Sequence, residues 1–96
     1  VLLSMGEDGH IASLFPNHVY PEDQMIVVEH DSPKPPKERV SMSYKQLNRA
    51  HYIFKLIIGE SKQKAVTLLK QNANLPITRV NGDCEKLYFC KNAILL

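Results

Sequence analysis

Short apolar runs separated by turn residues dominate the hydrophobic pattern of this chain. Five segments have the composition of β-strands: Val1–Met5, Met25–Val28, Arg39–Ser43, Tyr52–Ile58 and Leu87–Cys90. The fourth is apolar on both faces except at Lys55, which is typical of a central parallel strand that is covered on both sides. In the third, apolar and polar residues alternate, and this pattern predicts a half-exposed strand.

Helical periodicity is clearest between residues 60 and 71, where the apolar side chains fall on one face of an amphipathic helix. A shorter helix is predicted at Tyr44–Ala50. One or two helical turns are predicted at His10–Phe15, where Pro16 would end them. The three prolines of Asp31–Lys37 exclude a helix interior or a central strand there, so we expect a stiff surface loop.

Alternation of strands with helices predicts an α/β sandwich with a mostly parallel sheet. Four or five strands are few for a doubly wound domain, and Val1-Leu2-Leu3 has the composition of the middle of a strand. We therefore expect the chain to be one part of a single domain, with the beginning of that domain missing.

The charge balance bears on the class of partner. Twelve lysines and arginines face ten acidic residues, and this surplus is too small and too dispersed for a nucleic-acid-binding surface. No apolar stretch approaches the ~20 residues of a membrane helix. Neither a nucleic acid nor a membrane is therefore an expected partner, whereas a small anionic ligand is compatible with the composition.

The two cysteines and the scattered histidines argue against a disulfide and a metal site. Cys84 and Cys90 lie six positions apart in an extended segment, which places their Cα atoms ~20 Å apart, too far for a disulfide. Free thiols suggest a reducing compartment, so the expected location is the cytoplasm. His18, His30 and His51 lack metal-ligand spacing, so no metal site is predicted from the sequence.

The densest group of reactive side chains is Gly6-Glu7-Asp8-Gly9-His10, directly after the first strand. In open α/β sheets, ligands bind at the carboxyl ends of strands, so this turn is where a site is expected. His10 can act as a base at neutral pH, and Asp8 can hold its ring in one tautomer. The alternative is a surface turn in which Asp8-Gly9 supplies the turn geometry.

A second candidate group, Gly59-Glu60-Ser61-Lys62, also follows a strand and precedes a helix. An anion at this helix start would be held by free backbone N–H groups and Lys62, although solvated lysines are an equally open interpretation. Because both strands are expected to be parallel, His10 and Lys62 should emerge at the same edge of the sheet. Arg39, next to the proline loop, could clamp a phosphate or carboxylate, or pair with Glu38 or Asp31.

Two motifs resemble signatures of the 6-phosphogluconolactonase family. They are Met5–Pro16 (MGEDGHIASLFP) and Asp31–Val40 (DSPKPPKERV). The stretch Asn48–Lys62 is similar to this family and to the related glucosamine-6-phosphate deaminases. The resemblance implies that residues 1–96 are the carboxyl-terminal part of a single domain, a partial Rossmann-like three-layer α/β sandwich whose amino-terminal half is absent.

The same resemblance implies an activity. It is hydrolysis of 6-phospho-D-glucono-1,5-lactone to 6-phosphogluconate in the pentose phosphate pathway, without a metal or cofactor. His10 would be the general base and Asp8 its orienting partner. Gly9, Arg39, Lys62 and His51 are the candidates for binding the substrate and its phosphate, with His51 near the place where the family usually carries an arginine. The parent protein is expected to be a monomer or a small homo-oligomer.

Two rival functions stay open at the level of sequence. The deaminases carry a glutamate-bearing segment after their Asp-Gly-His motif, whereas this chain has Ser13-Leu14-Phe15-Pro16, which favours the lactonase. The other rival is a non-catalytic module that binds a sugar phosphate.

Overall fold

The computed structural model describes residues 1–94, so the last two residues of the apolar tail Ile94–Leu96 lie outside the described residues. The strands of this part are β1 (Leu2–Ser4), β2 (Ile26–Glu29), β3 (Arg39–Met42), β4 (Tyr52–Ile57) and β5 (Cys84–Phe89). The α-helices are α1 (Tyr44–Leu47) and α2 (Gln63–Lys70), and single 3-10 turns span Glu60–Lys62, Pro76–Arg79 and Lys91–Ala93.

A parallel three-stranded sheet with the order β1-β4-β5 forms the centre of the molecule. The predicted mixed α/β class is therefore confirmed. We expected the other two strands to join this sheet. They instead pair with each other as an antiparallel ribbon. The reason is the connection between them, because a parallel crossover needs a dozen or more residues, usually a helix, and the proline-rich loop supplies neither.

Helix α2 covers one face of the parallel sheet. Leu3, Ile53 and Ile57 of the sheet are buried together with Ala65 and Val66 of the helix. On the opposite face, the side chains at positions 2, 54 and 88 are 67%, 38% and 50% exposed. Within residues 1–94, the predicted three-layer sandwich is thus represented by the sheet and one covering layer.

Lys55, the one charged residue of β4, is buried, with only 4% of the residue exposed. Its ammonium group forms an ion pair with Glu85 on the neighbouring strand β5. A buried charge needs a partner, and the carboxylate supplies one without the stem having to leave the core.

Exposed and buried residues alternate along β3, as predicted. The buried face is the polar one. Val40 and Met42 are 70% and 49% exposed, whereas Ser41 and Ser43 are buried. The Ser41 hydroxyl accepts a hydrogen bond from the Ser13 N–H at 3.1 Å and donates one to the Met42 carbonyl. The Ser43 hydroxyl accepts the Gln46 N–H as the N-cap of α1, so both buried hydroxyls have hydrogen-bond partners.

The segment His10–Phe15 is not helical, contrary to the prediction. It folds back through a single bridge between Ile11 and Leu14, and Ala12 takes a positive φ of 48°. This reversal buries Ile11, Leu14 and Phe15, three side chains that a single amphipathic turn would not bury together. No helix within residues 1–94 is long and apolar enough to cross a membrane.

Candidate active site

Two backbone hydrogen bonds close the loop that follows β1. The Gly6 N–H donates to the His10 carbonyl at 2.8 Å, and the Gly9 N–H donates to the Gly6 carbonyl at 3.0 Å. Gly9 has a φ of +89°, and a Cβ there would meet the Leu75 side chain at 3.0 Å. Glycine is therefore needed at position 9 for its backbone conformation and for close packing.

Gly6 is needed for close packing rather than for its backbone conformation. Among residues 1–94, the glycines with a positive φ are Gly9 and Gly59. A Cβ at position 6 would lie 2.0 Å from Cε1 of His10, because the imidazole lies directly against the Gly6 backbone. Any side chain at this position would displace the ring.

His10 and Asp8 form the pair that their spacing predicts. Nδ1 of His10 lies 2.5 Å from Oδ1 of Asp8, and the same oxygen accepts the backbone N–H of His10 at 3.1 Å. Burial raises the pKa of Asp8, but these hydrogen bonds outweigh it, and the net result is a pKa below the ordinary value. The ionised carboxylate can only accept, so Nδ1 carries the hydrogen and Nε2 keeps its lone pair.

Phe15 supports the imidazole from one side. Its ring centroid lies 4.6 Å from that of His10, and its backbone N–H donates to the Tyr20 hydroxyl at 2.9 Å. Sequence reasoning missed this residue, because a phenylalanine in an apolar segment carries no signal that separates a wall of a site from an ordinary core position.

A cavity of about 360 Å³ connects this pair with positively charged side chains. Lys62 and Arg39 both line it, so the structure brings these two predicted residues together with His10 and Asp8. Lys62 arrives from the end of β4, where it is the last residue of the 3-10 turn and the N-cap of α2. The volume falls within the range of small-molecule sites.

Arg39 is anchored to the proline loop. Its Nε donates to the Pro36 carbonyl at 3.1 Å, and its Nη2 donates to the Lys34 carbonyl at 3.0 Å. Its guanidinium carbon lies 5.5 Å from the centroid of the Phe15 ring. The alternative predicted from sequence, an ion pair with Glu38 or Asp31, is not formed within the described residues.

Two further charged residues that sequence reasoning did not single out line the same cavity. Nζ of Lys34 lies 2.9 Å from Oε1 of Glu7, which joins the proline loop to the loop after β1. The hydrogen bond and charge of Lys34 hold the pKa of Glu7 below its ordinary value, and Glu7 raises the pKa of Lys34. Their 27-residue separation explains why no local pattern predicts the contact.

Two predicted site residues lie elsewhere. Gly9 is buried against Leu75 and does not line the cavity. His51 precedes β4 and pairs with Asp83 at 2.9 Å, with 82% of its side chain exposed. The cavity lies at the carboxyl end of β4, so the structure does not bring His51 to the predicted phosphate site. The position before a strand and the position after it are at opposite edges of the sheet.

A second histidine–carboxylate pair also lies near Phe15. Nδ1 of His18 contacts Oε1 of Glu29, and the Glu29 carboxylate also accepts the Tyr20 hydroxyl at 2.7 Å and the Asp31 N–H at 2.8 Å. Burial raises the pKa of Glu29, but these three donors more than offset it and lower the pKa to about 2. The His18 ring lies 5.9 Å from Phe15.

Within residues 1–94, no group of three or more histidine, cysteine, aspartate or glutamate side chains is arranged to hold a metal ion. Cys84 and Cys90 are both free thiols.

Comparison with known proteins places this arrangement in a wider context. Residues 1–89 match the family model described as "Glucosamine-6-phosphate isomerases/6-phosphogluconolactonase". "Probable 6-phosphogluconolactonase 2" of Oryza sativa subsp. indica is 46% identical over 79 residues, which cover 79% of this chain and 28% of the rice protein. "6-phosphogluconolactonase 3, chloroplastic" of Arabidopsis thaliana is 39% identical over 93 residues, covering 93% of this chain and 29% of that protein.

Among solved structures, the crystal structure of 6-phosphogluconolactonase from Thermotoga maritima matches with a TM-score of 0.79 and 31% sequence identity. The match covers 92% of this chain and 40% of the Thermotoga chain. The present chain therefore spans less than a third of the two plant proteins and less than half of the bacterial one.

Proposed function

The chain belongs to the family of glucosamine-6-phosphate isomerases and 6-phosphogluconolactonases, and on this premise we propose that the complete protein hydrolyses 6-phospho-D-glucono-1,5-lactone to 6-phosphogluconate. The observation that carries the proposal is the 2.5 Å contact between His10 and Asp8 in a cavity that is also lined by Arg39 and Lys62. A base and a set of cations in one cavity match a substrate that has an electrophilic carbonyl and a phosphate.

In the first step, His10 acts as a general base. Nε2 takes a proton from a water molecule as the water oxygen adds to the lactone carbonyl carbon, and the carbonyl π electrons move to its oxygen. Asp8 holds Nδ1–H and stabilises the imidazolium that forms, since its lowered pKa keeps it ionised.

In the second step, the tetrahedral intermediate collapses. The carbonyl re-forms, the bond from the carbonyl carbon to the ring oxygen breaks, and the imidazolium returns its proton to that oxygen as it leaves. The product is the open-chain acid, which ionises, and His10 is again neutral. General acid–base assistance of this type contributes ~10²–10⁴-fold to the rate.

Arg39 and Lys62 act on the other end of the substrate. Charge-assisted contacts from these side chains to the phosphate would hold the carbonyl in place for attack. In Arg39, Nε and Nη2 are already bonded to the proline loop, which fixes the plane of the guanidinium and leaves Nη1 for an anion.

The proposal is tested with the complete protein and freshly prepared lactone, against the spontaneous hydrolysis rate. We expect hydrolysis well above that rate and no ammonia release from glucosamine 6-phosphate. Ammonia release would indicate deaminase chemistry instead. Binding of 6-phosphogluconate without turnover would indicate a non-catalytic sugar-phosphate module.

Lys62→Ala tests the phosphate contact. We expect KM to rise severalfold with kcat nearly unchanged, because the lost interaction is made equally in the bound substrate and the transition state. Lys64→Ala is the matched control, since Lys64 is exposed and does not line the cavity. An unchanged KM for Lys62→Ala would count against phosphate anchoring by this residue.

Two further properties belong to the same proposal. The two free thiols support a reducing compartment, and we assign the protein to the cytoplasm. A plastid signal from a full-length fluorescent fusion would contradict this location. We expect a monomer or a small homo-oligomer, which light scattering of the complete protein would test.

A further inference from the structure

The cavity that His10 lines is also lined by an internal ion pair. The charged side chains that line it are three cations and two carboxylates, namely Lys34, Arg39, Lys62, Glu7 and Asp8. Asp8 is engaged by His10. Glu7 is engaged by Lys34, with Nζ and Oε1 2.9 Å apart.

The backbone of Lys34 is held by its neighbours, whereas its side chain is largely exposed. Pro33 and Pro35 restrict the backbone on both sides. The Lys34 carbonyl accepts hydrogen bonds from the Ser32 hydroxyl at 2.9 Å and from the Arg39 guanidinium at 3.0 Å. The side chain itself is 72% exposed, so the stem starts from a defined point beside Arg39 and its tip can exchange partners.

The partner of Lys34 is equally exchangeable. The Glu7 side chain is 53% exposed, and a solvent-exposed ion pair is weak because water and salt screen it. Lys62 also lies close enough to help lower the pKa of Glu7, after the larger effects of Lys34. The Glu7 carboxylate thus lies near two of the three cations of the cavity.

We propose that Lys34 is a third phosphate-binding cation, and that Glu7 is an internal anion that a phosphoryl group displaces from it. The inference rests on the proposed function, since it names a further binding residue and a competitor for the same substrate phosphate. A phosphate dianion carries more charge than one carboxylate and accepts from several donors at once, so it competes effectively for Lys34, Arg39 and Lys62 together. Glu7 would then select against weaker, singly charged anions.

If Glu7 competes with the phosphate for Lys34, replacing Lys34 and replacing Glu7 should change the affinity for phosphate in opposite directions. Lys34→Ala removes a donor from the phosphate and should raise the dissociation constant of inorganic phosphate about threefold to tenfold. Glu7→Gln removes the competing charge at nearly constant shape and should lower that constant about threefold. Lys37→Ala is the control, because Lys37 is an exposed lysine of the same loop that does not line the cavity.

The measurement is calorimetric titration of the complete protein with inorganic phosphate at low ionic strength, where screening is weakest. We expect Glu7→Gln to bind phosphate most tightly and Lys34→Ala to bind it most weakly. The wild type and Lys37→Ala should have the same intermediate affinity. The inference is overturned if Lys34→Ala binds phosphate as Lys37→Ala does. It is equally overturned if Glu7→Gln leaves the affinity unchanged or weakens it, since Glu7 would then position Lys34 rather than compete with the ligand.

A parallel assay of lactone hydrolysis separates this inference from the proposed function. Phosphate binding in the expected order without lactone turnover would contradict the proposed function alone. Turnover by the wild type, with Lys34→Ala and Lys37→Ala indistinguishable in phosphate affinity, would contradict the present inference alone.

Discussion

Two histidine–carboxylate pairs lie near Phe15, and their surroundings differ. In the His10–Asp8 pair, 28% and 36% of the side chains are exposed, and both residues line the cation-rich cavity. In the His18–Glu29 pair, the histidine is similarly exposed at 30%, but the carboxylate is only 5% exposed. The two pairs therefore differ mainly in the carboxylate, which is partly exposed in the first pair and buried in the second.

The partners of each carboxylate explain the difference. Asp8 accepts from the ring and from the backbone N–H of His10, so its main effect falls on that imidazole. Glu29 joins three separate segments by accepting from His18, Tyr20 and Asp31. Tyr20 in turn accepts from the Phe15 N–H, and the Phe15 ring lies against His10. We therefore interpret the first pair as catalytic and the second as the support of its surroundings.

Replacing the two histidines in turn should give the largest contrast. We expect His10→Ala to lower kcat at least a hundredfold, because the variant loses the imidazole that is proposed to take the proton from water. His18→Ala should change kcat less than about threefold. Steady-state lactone hydrolysis by both variants of the complete protein measures the contrast, and normal turnover by His10→Ala would remove His10 from the mechanism.

Asp8→Asn tests the orienting role with almost no change in shape. The amide can donate to Nδ1, which would place the imidazole hydrogen on Nε2 and block the base. We expect kcat to fall about thirtyfold to a hundredfold, with the melting temperature nearly unchanged. A loss of stability without a loss of kcat would show that Asp8 shapes the loop and does not hold the tautomer.

Glu29→Gln should show the reverse profile, with its main effect on stability. The amide cannot satisfy three donors, and we expect a loss of about 2 kcal/mol in the free energy of unfolding at neutral pH. The pKa of Glu29 in the folded protein is about 2, below its ordinary value of 4.5. Its stabilising effect is therefore present above pH 4.5 and is lost as the pH falls from there towards 2.

Thermal unfolding of the wild type and Glu29→Gln across that pH range checks the expectation. The two curves of melting temperature should converge as the pH falls below 4.5. Parallel curves, with the same difference at pH 3 as at pH 7, would contradict a role for the ionised Glu29 carboxylate.

The sequence allowed the parallel arrangement of β1 and β4 and the approximate position of the candidate site to be predicted, because these depend on local patterns. The apolar run of β4 and the two turns that follow parallel strands were enough to bring His10 and Lys62 to one edge of the sheet. Parallel strands end at the same edge whatever their side chains, so no long-range contact had to be known.

The remaining features depend on contacts between distant residues, and no local pattern encodes them. Three features depend on contacts between residues that are not neighbours in the sequence. They are the packing of Phe15 against His10, the Glu7–Lys34 pair and the Lys55–Glu85 pair. Periodicity showed that β3 has two different faces, but the hydrogen bonds of Ser41 decided which face is buried. The prediction of a helix at His10–Phe15 was wrong because the chain reverses direction at Ala12.

The central claim is that His10 and the cations act on opposite ends of one bound sugar phosphate. A crystal structure of the complete protein with 6-phosphogluconate tests it most directly. We expect Nε2 of His10 within about 3.5 Å of the product carboxylate, with the phosphate bonded to Arg39 and Lys62. A phosphate bound away from these two side chains, or an imidazole turned out of the cavity, would contradict the account.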